Sequence, residues 1–197
     1  MRLKTPLSEE LVGSLMAGDV VHLDGVVYTG RDEVHLRALE MHEKGEKLPV
    51  DMKGAALYHC GPIVKKEDDR WVLVAAGPTT SARMNSLEPR FIETLGVRAI
   101  IGKGGMSQPT VDAMKRYGCV YFAITGGAAV LAARGVKKVL GVEWLDLGMP
   151  EALWILEAQN LGPLIVGIDA HGNSLFKKAD EEVRKNLPLV RKRLGIE

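Results

Sequence analysis

Ala99-Ile100-Ile101, Gly102-Lys103-Gly104-Gly105, Gln108–Tyr117 (QPTVDAMKRY) and residues 119–124 (CVYFAI) follow one another along the chain. An apolar run, a glycine-rich loop, a helix-length run and a second apolar run read as strand, loop, helix, strand. That alternation is the pattern of an α/β fold, in which helices pack onto the sheet that the strands build.

The same grammar extends outward in both directions. Upstream, Trp71-Val72-Leu73-Val74-Ala75-Ala76 reads as a strand, and Gly77-Pro78-Thr79-Thr80-Ser81-Ala82-Arg83-Met84 opens a helical stretch from about Thr80, bent or broken near Pro89. Residues 9–16 form a short amphipathic stretch, and residues 19–28 (DVVHLDGVVY) read as two short strands or one kinked strand around Gly25. Residues 31–44 carry Val34, Ala38 and Met41 at helical spacing and stop at Gly45. Short strands follow at 55–59 and 63–64, with a charged hairpin tip at 65–70. Downstream come a small-residue helix at 128–134, a strand at 138–142, a less clear run at 154–158, a strand at 164–169 and a charged tail helix at 177–194 interrupted by Pro188. The first third is mainly β and the rest alternates. With no internal repeat and no Pro- or Ser-rich linker, the expectation is one domain over residues 1–197, mixed strands and helices around a single core.

Composition narrows the class. The chain has 26 basic and 25 acidic residues, a formal charge of +1, which argues against a life on nucleic acid or an anionic membrane. Aromatic residues at 5% give little for stacking bases. No run is long enough to span a membrane, and the opening residues show no apolar signal core, so a cytoplasmic protein is expected. Cys60 and Cys119 cannot by themselves hold an iron–sulfur cluster of the four-cysteine kind, and Cys119, in an apolar strand, reads as core. His59 and His171 have no metal-ligand partner at useful spacing, so no metal is assigned to this chain.

Three cations stand just beyond expected strands: Arg31 in Thr29-Gly30-Arg31-Asp32, Arg83 in the Gly-Pro-Thr-Thr segment, and Lys103 in the Gly-Lys-Gly-Gly loop. Strand ends of an α/β sheet gather at one edge, where ligands bind, and three converging cations suit a dicarboxylate. Free N–H groups at the Gly77-Pro78 junction and the dipole of a following helix favour an anion, with Arg83 one turn in. Taken singly, each cation reads more readily as a solvated surface charge, and the segment reads equally as an ordinary capped helix. Thr79 and Thr80 offer hydroxyls for chemistry or for an N-cap. Asp32 and His35, three apart on a helix, could orient Arg31 or shuttle a proton. The Lys103 loop lacks the Gly-x4-Gly-Lys-[Ser/Thr] pattern of a P-loop.

Read in order, Thr-Gly-Arg-Asp-x-x-His (29–35), Gly-Pro-Thr-Thr-Ser-Ala-Arg-Met (77–84) and Gly-Lys-Gly-Gly-Met (102–106) resemble the β subunit, equivalent to the C-terminal domain, of class I fumarate hydratases and L(+)-tartrate dehydratases, over residues 12–175. The resemblance implies a swivelling β/β/α domain and reversible hydration of fumarate to L-malate, or dehydration of a related hydroxy diacid. It implies Arg31, Arg83 and Lys103 as substrate-carboxylate contacts, Thr79 as the base, and Asp32, His35 and Thr80 in supporting roles. It also implies a four-iron–four-sulfur cluster held by a partner α subunit rather than by this chain, in an assembly of two α and two β subunits. Two readings from other classes stand beside it: a non-catalytic module that binds a small carboxylate, and a structural subunit whose cations serve an interface.

Overall fold

A computed structural model describes residues 1–196. Its strands are β1 (Arg2–Lys4), β2 (Val20–Thr29), β3 (Ala56–Tyr58), β4 (Ile63–Glu67), β5 (Arg70–Ala75), β6 (Ala99–Gly102), β7 (Val120–Ala123), β8 (Val136–Glu143) and β9 (Leu153–Ile168). Its α-helices are α1 (Glu9–Gly13), α2 (Asp32–Glu43), α3 (Glu88–Leu95), α4 (Gln108–Tyr117), α5 (Ala129–Arg134) and α6 (Leu175–Leu194). The strands β2, β3, β6 and β7 lie side by side and parallel. The long β9 runs antiparallel to both β7 and β2, so the sheet curls into a partial barrel, with β1 added beside β2 and β8 beside β9.

Successive side chains of a strand point to opposite faces, and here both faces are apolar. Ala56, Tyr58, Ala99, Ile101, Val120 and Phe122 share one cluster with Val27, Leu161, Leu164 and Val166. Their neighbours Leu57, Ile100 and Tyr121 face the other way, onto Val34 of α2, Phe91 and Ile92 of α3, and Val111 and Met114 of α4. The short central strands are therefore buried on both faces, which is why they read as continuous apolar runs. The hairpin β4–β5 packs separately, with Val64, Trp71 and Leu73 against Trp154 and Leu156 of β9. Barrel sheet, second sheet and outer helices supply the two β parts and the α part of a β/β/α fold.

Three expectations change. The helix anticipated from Thr80 is a four-residue 3₁₀ turn, Ser81–Met84, and α3 starts afresh at Glu88. Pro89 lies in the first turn of α3, where its missing N–H costs nothing, so it begins a helix rather than breaking one. The runs at 154–158 and 164–169 are one sixteen-residue strand, β9, carried through Gly162-Pro163 by pairing with both halves of β2. The tail helix α6 continues through Pro188. It has no buried residue, so water can satisfy the carbonyl that Pro188 leaves without a donor. Of the two readings for residues 19–28, one kinked strand is observed. Gly25 takes a φ of +98°, and a Cβ there would stand 2.5 Å from Thr5 Oγ1.

Candidate active site

The carboxyl ends of the four parallel strands share one edge, and each delivers a motif. β2 ends at Thr29 and leads through Gly30 to Arg31, the N-cap residue of α2. The Arg31 side chain crosses Gly61, where a Cβ would stand 2.8 Å from Nη1, and its Nη2 reaches Glu151 at 3.1 Å. Arg31 is thus partly buried, and its Nε is buried without a partner. β3 leads to His59 and Cys60, and Cys60 pairs as a β-bridge with Pro78. The Thr79 N–H donates to the His59 carbonyl at 2.6 Å.

β6 leads to Lys103, which bridges to Thr80, and the Ser81 N–H donates to the Lys103 carbonyl at 3.0 Å. The Lys103 side chain runs past Gly126, where a Cβ would lie 3.5 Å from Cδ, so the loop after β7 also joins the edge. Arg83, half exposed, pairs with Asp32 at 2.7 Å and so ties the second motif to the first. Among the described residues no carboxylate lies within ion-pair distance of Lys103.

Asp32 does not orient Arg31, because its carboxylate is taken by Arg83, and Glu151 holds Arg31 instead. Thr80 occupies the cap position of the 3₁₀ turn, but no side chain caps that turn. The four-residue turn has too short a dipole to draw an anion as the expected helix would. Of the two roles offered for His35, its contacts fit the orienting of Arg31. His35 is fully buried, and its Nδ1 donates to the Arg31 carbonyl at 2.7 Å.

Behind the edge lies a buried ionic group that the sequence reading did not assemble. Glu88 Oε2 stands 3.2 Å from His35 Nε2 and 3.0 Å from His59 Nε2, and all three side chains have no exposure. The His35 contact is an aligned hydrogen bond, whereas His59 Nε2 is close but poorly aligned. His59 Nδ1 is 2.9 Å from Ser81 Oγ, which also receives the Tyr121 hydroxyl at 2.9 Å.

Burial alone would raise Glu88, yet the two imidazoles hold its carboxyl down to about 2. Burial opposes the charge on His35, and Glu88 with the Arg31 carbonyl overcomes it, so His35 is raised. For His59 burial wins, helped by the neighbouring His35, and its value is lowered. The three donor atoms lie within 4.8 Å of one another, so distant sequence positions supply the partners that His59 lacked by spacing.

Glu88 is at the helical spacing of Phe91, Ile92 and Leu95, the buried face of α3. An acid at a core position of an amphipathic helix is the signal that could have found it. Glu151 and Gly61 leave no such trace in the sequence.

Cys60 is fully buried beside the site, with its thiol pushed up to about 12 by burial, and Cys119 is raised well above the ordinary thiol value. Neither is poised as a thiolate ligand or nucleophile.

The family model described as Fumarase C-terminus matches residues 1–179. The chain belongs to this family. It is 50% identical over 182 residues to a Methanocaldococcus jannaschii protein named "Putative L(+)-tartrate dehydratase subunit beta", covering 92% of this chain and 93% of that one. It is 43% identical over 174 residues to the L(+)-tartrate dehydratase subunit beta of Escherichia coli K12, covering 88% and 85%. A Geobacillus stearothermophilus protein named "Putative fumarate hydratase class I" is 40% identical over 186 residues, 94% of this chain and 35% of that longer protein. The family is the one that the three motifs resemble.

Proposed function

We propose that this chain is the β subunit of a two-subunit hydro-lyase that interconverts fumarate and L-malate. The coarser part, a hydro-lyase β subunit, rests on family membership and on the names of its relatives. The site supports a dicarboxylate substrate, and within that class we propose fumarate. The observation that carries it is the mutual locking of the three cation-bearing loops, through the Arg83–Asp32 pair and the Thr80–Lys103 bridge. Lys103 and the outer half of Arg83 are free to meet a dicarboxylate, each by charge-assisted hydrogen bonds. Arg31 exchanges part of its Glu151 contact for the second carboxylate.

Thr79 is the base in this reading. A proton leaving the carbon next to a carboxylate puts developing charge on that carboxylate, and the fixed cations stabilise it. The same cations lower the cost of a threonine alkoxide at Thr79. Asp32 steadies Arg83, and Thr80 holds the Lys103 strand through its backbone.

The edge is open: Thr80 and Arg83 are exposed. A second protein surface is needed to close it and exclude water. This supports an α partner and an α₂β₂ assembly in which that partner carries the four-iron–four-sulfur cluster. The two buried, high-pKa cysteines of this chain do not fit such a group. No helix of the described residues is long and apolar enough to cross a membrane; a cytoplasmic location is our proposal.

L(+)-tartrate is the alternative substrate, favoured by the names of the 50% and 43% identical relatives. The test is the ratio of kcat/KM for fumarate and L(+)-tartrate in the anaerobically assembled enzyme. A ratio favouring tartrate by more than about tenfold, a difference of ~1.4 kcal/mol in transition-state binding, would replace the fumarase reading.

A further inference from the structure

We infer that Glu88, with His35 and His59, is the positioning group that fixes Arg31 and Thr79 relative to each other; this deepens the hydro-lyase reading and rests on it. Two backbone contacts make the connection. The Arg31 carbonyl is held by His35 Nδ1, and the Thr79 N–H is held by the His59 carbonyl. The two histidines come from different elements, α2 and the end of β3, and both rings converge on one carboxylate oxygen from a third, α3. Glu88 is therefore the point at which the first and second motifs meet inside the protein.

With Glu88 ionised, the hydrogen bonds take one set of directions. The Arg31 carbonyl can only accept, so His35 Nδ1 carries a proton, and Nε2 carries another toward the carboxylate. His35 is an imidazolium whose counterion is Glu88. On the other side, Tyr121 donates to Ser81, Ser81 donates to His59 Nδ1, and His59 turns its Nε2–H toward Glu88. His59 is then neutral, and the group carries one positive and one negative charge.

The second carboxylate oxygen, Glu88 Oε1, is buried without a hydrogen-bond partner. Asp32 acts on both histidines from the first turn of α2, and the neutral Cys119 and Tyr121 face Glu88 from around β7. Phe91 covers the His35 ring at 4.4 Å between centroids. Proton directions fill the space between the three donors, and a metal ion there would displace the His35 Nε2 proton. Gly102 is part of the same device: a Cβ there would fall 2.0 Å from Ser81 Oγ and 3.4 Å from His59 Nδ1.

The test uses the full chain and then the assembled enzyme, with Glu88→Gln, which keeps the shape of Glu88 and one acceptor oxygen, replaces the other oxygen by an amide donor and removes the charge. In the full chain, amide hydrogen exchange is followed at Thr79 and His35, and imidazole ¹⁵N shifts report the proton positions. The account expects a doubly protonated His35 and an Nε2–H His59 at neutral pH in the native protein. In Glu88→Gln, the Thr79 amide exchanges at least about tenfold faster while the Val21 amide of β2 is unchanged. In the assembled enzyme the variant loses at least about tenfold in kcat with little change in KM for fumarate. The fall in kcat at alkaline pH, set by loss of the His35 proton, moves with the substitution.

Unchanged Thr79 exchange, a singly protonated His35, or one equivalent of tightly bound metal in the purified chain each overturn the proposal. So does a lowered Tm with an unaltered kcat and pH profile. An assembled native enzyme without hydro-lyase turnover would sink the proposed function instead, and the exchange and shift data would still decide whether Glu88 ties Arg31 to Thr79.

Discussion

Gly102→Ala tests how tightly the site edge is coupled to the core. Gly102 has no left-handed backbone, so the substitution acts only through the added methyl. That methyl would stand 2.0 Å from Ser81 Oγ and 3.1 Å from the Tyr121 hydroxyl, at a position where the residues around it are fully buried. Ser81 is held from its backbone by Lys103, so the hydroxyl must rotate away and give up both of its buried hydrogen bonds. Overpacking costs about 1–3 kcal/mol, and the two lost bonds about 1 kcal/mol each. The sum, about 3–5 kcal/mol, lowers Tm by roughly 10 °C in a chain of this length.

Thermal unfolding followed by circular dichroism measures the effect, and a double-mutant cycle identifies its origin. Ser81→Ala removes the atom that the methyl meets. Gly102→Ala should therefore cost at least about 1 kcal/mol less in the Ser81→Ala background than in the native one. A Tm within about 2 °C of the native protein for Gly102→Ala, or strictly additive costs, would refute the packing argument.

Arg83→Ala in the assembled enzyme is expected to lower kcat/KM by about a hundredfold or more, because a charge-assisted substrate contact is removed. Unchanged turnover would make Arg83 an interface residue. Stability should peak near neutral pH, as chemical denaturation across pH 2 to 9 would show. Glu88, held at about 2, loses its stabilising contribution as pH falls below about 5. His59, lowered, adds to that acid loss below about 6.5 because the unfolded chain takes up a proton that the fold resists. His35, raised, contributes fully below about 6.5 and fades as pH rises through its folded value. Glu88→Gln flattens the acid limb, and an acid limb unchanged by it contradicts this assignment. Truncation after Ala179 should shift Tm by less than about 2 °C. The removed part of α6 has no buried side chain, whereas the retained Phe176 packs on Tyr121. A larger loss would show that α6 does more than project into solvent.

The fold was legible where one period dominated. Residues 108–117 have an apolar face at helical spacing and a glycine at the end, and α4 has those bounds. Residues 164–169 and 154–158 looked like separate pieces because Gly162-Pro163 is locally a turn signal. The pairing of β9 with both halves of β2 overrides it, and pairing partners over a hundred residues away are invisible to local pattern. The segment after Gly77-Pro78 misled for the opposite reason. Small and hydroxyl residues tolerate a helix, but Thr80 and Ser81 give their backbones to Lys103 and leave only a 3₁₀ turn.

The exposed half of the site could be read from the three motifs, since Gly-flanked cations after strands gather at one sheet edge. The buried half could not. His59 had no local partner, and Glu88 went unread: it stands ahead of a proline in the first turn of α3, and only its spacing to Phe91, Ile92 and Leu95 marks it as a core position.

The most direct measurement is an anaerobic purification of the tagged full chain from its own source, followed by assay of the eluate for fumarate hydration and L(+)-tartrate dehydration. The account predicts a second subunit carrying a four-iron–four-sulfur cluster, and fumarate turnover that disappears when the two chains are separated. A chain that elutes alone, binds fumarate by itself and turns over neither substrate would contradict the half-enzyme account.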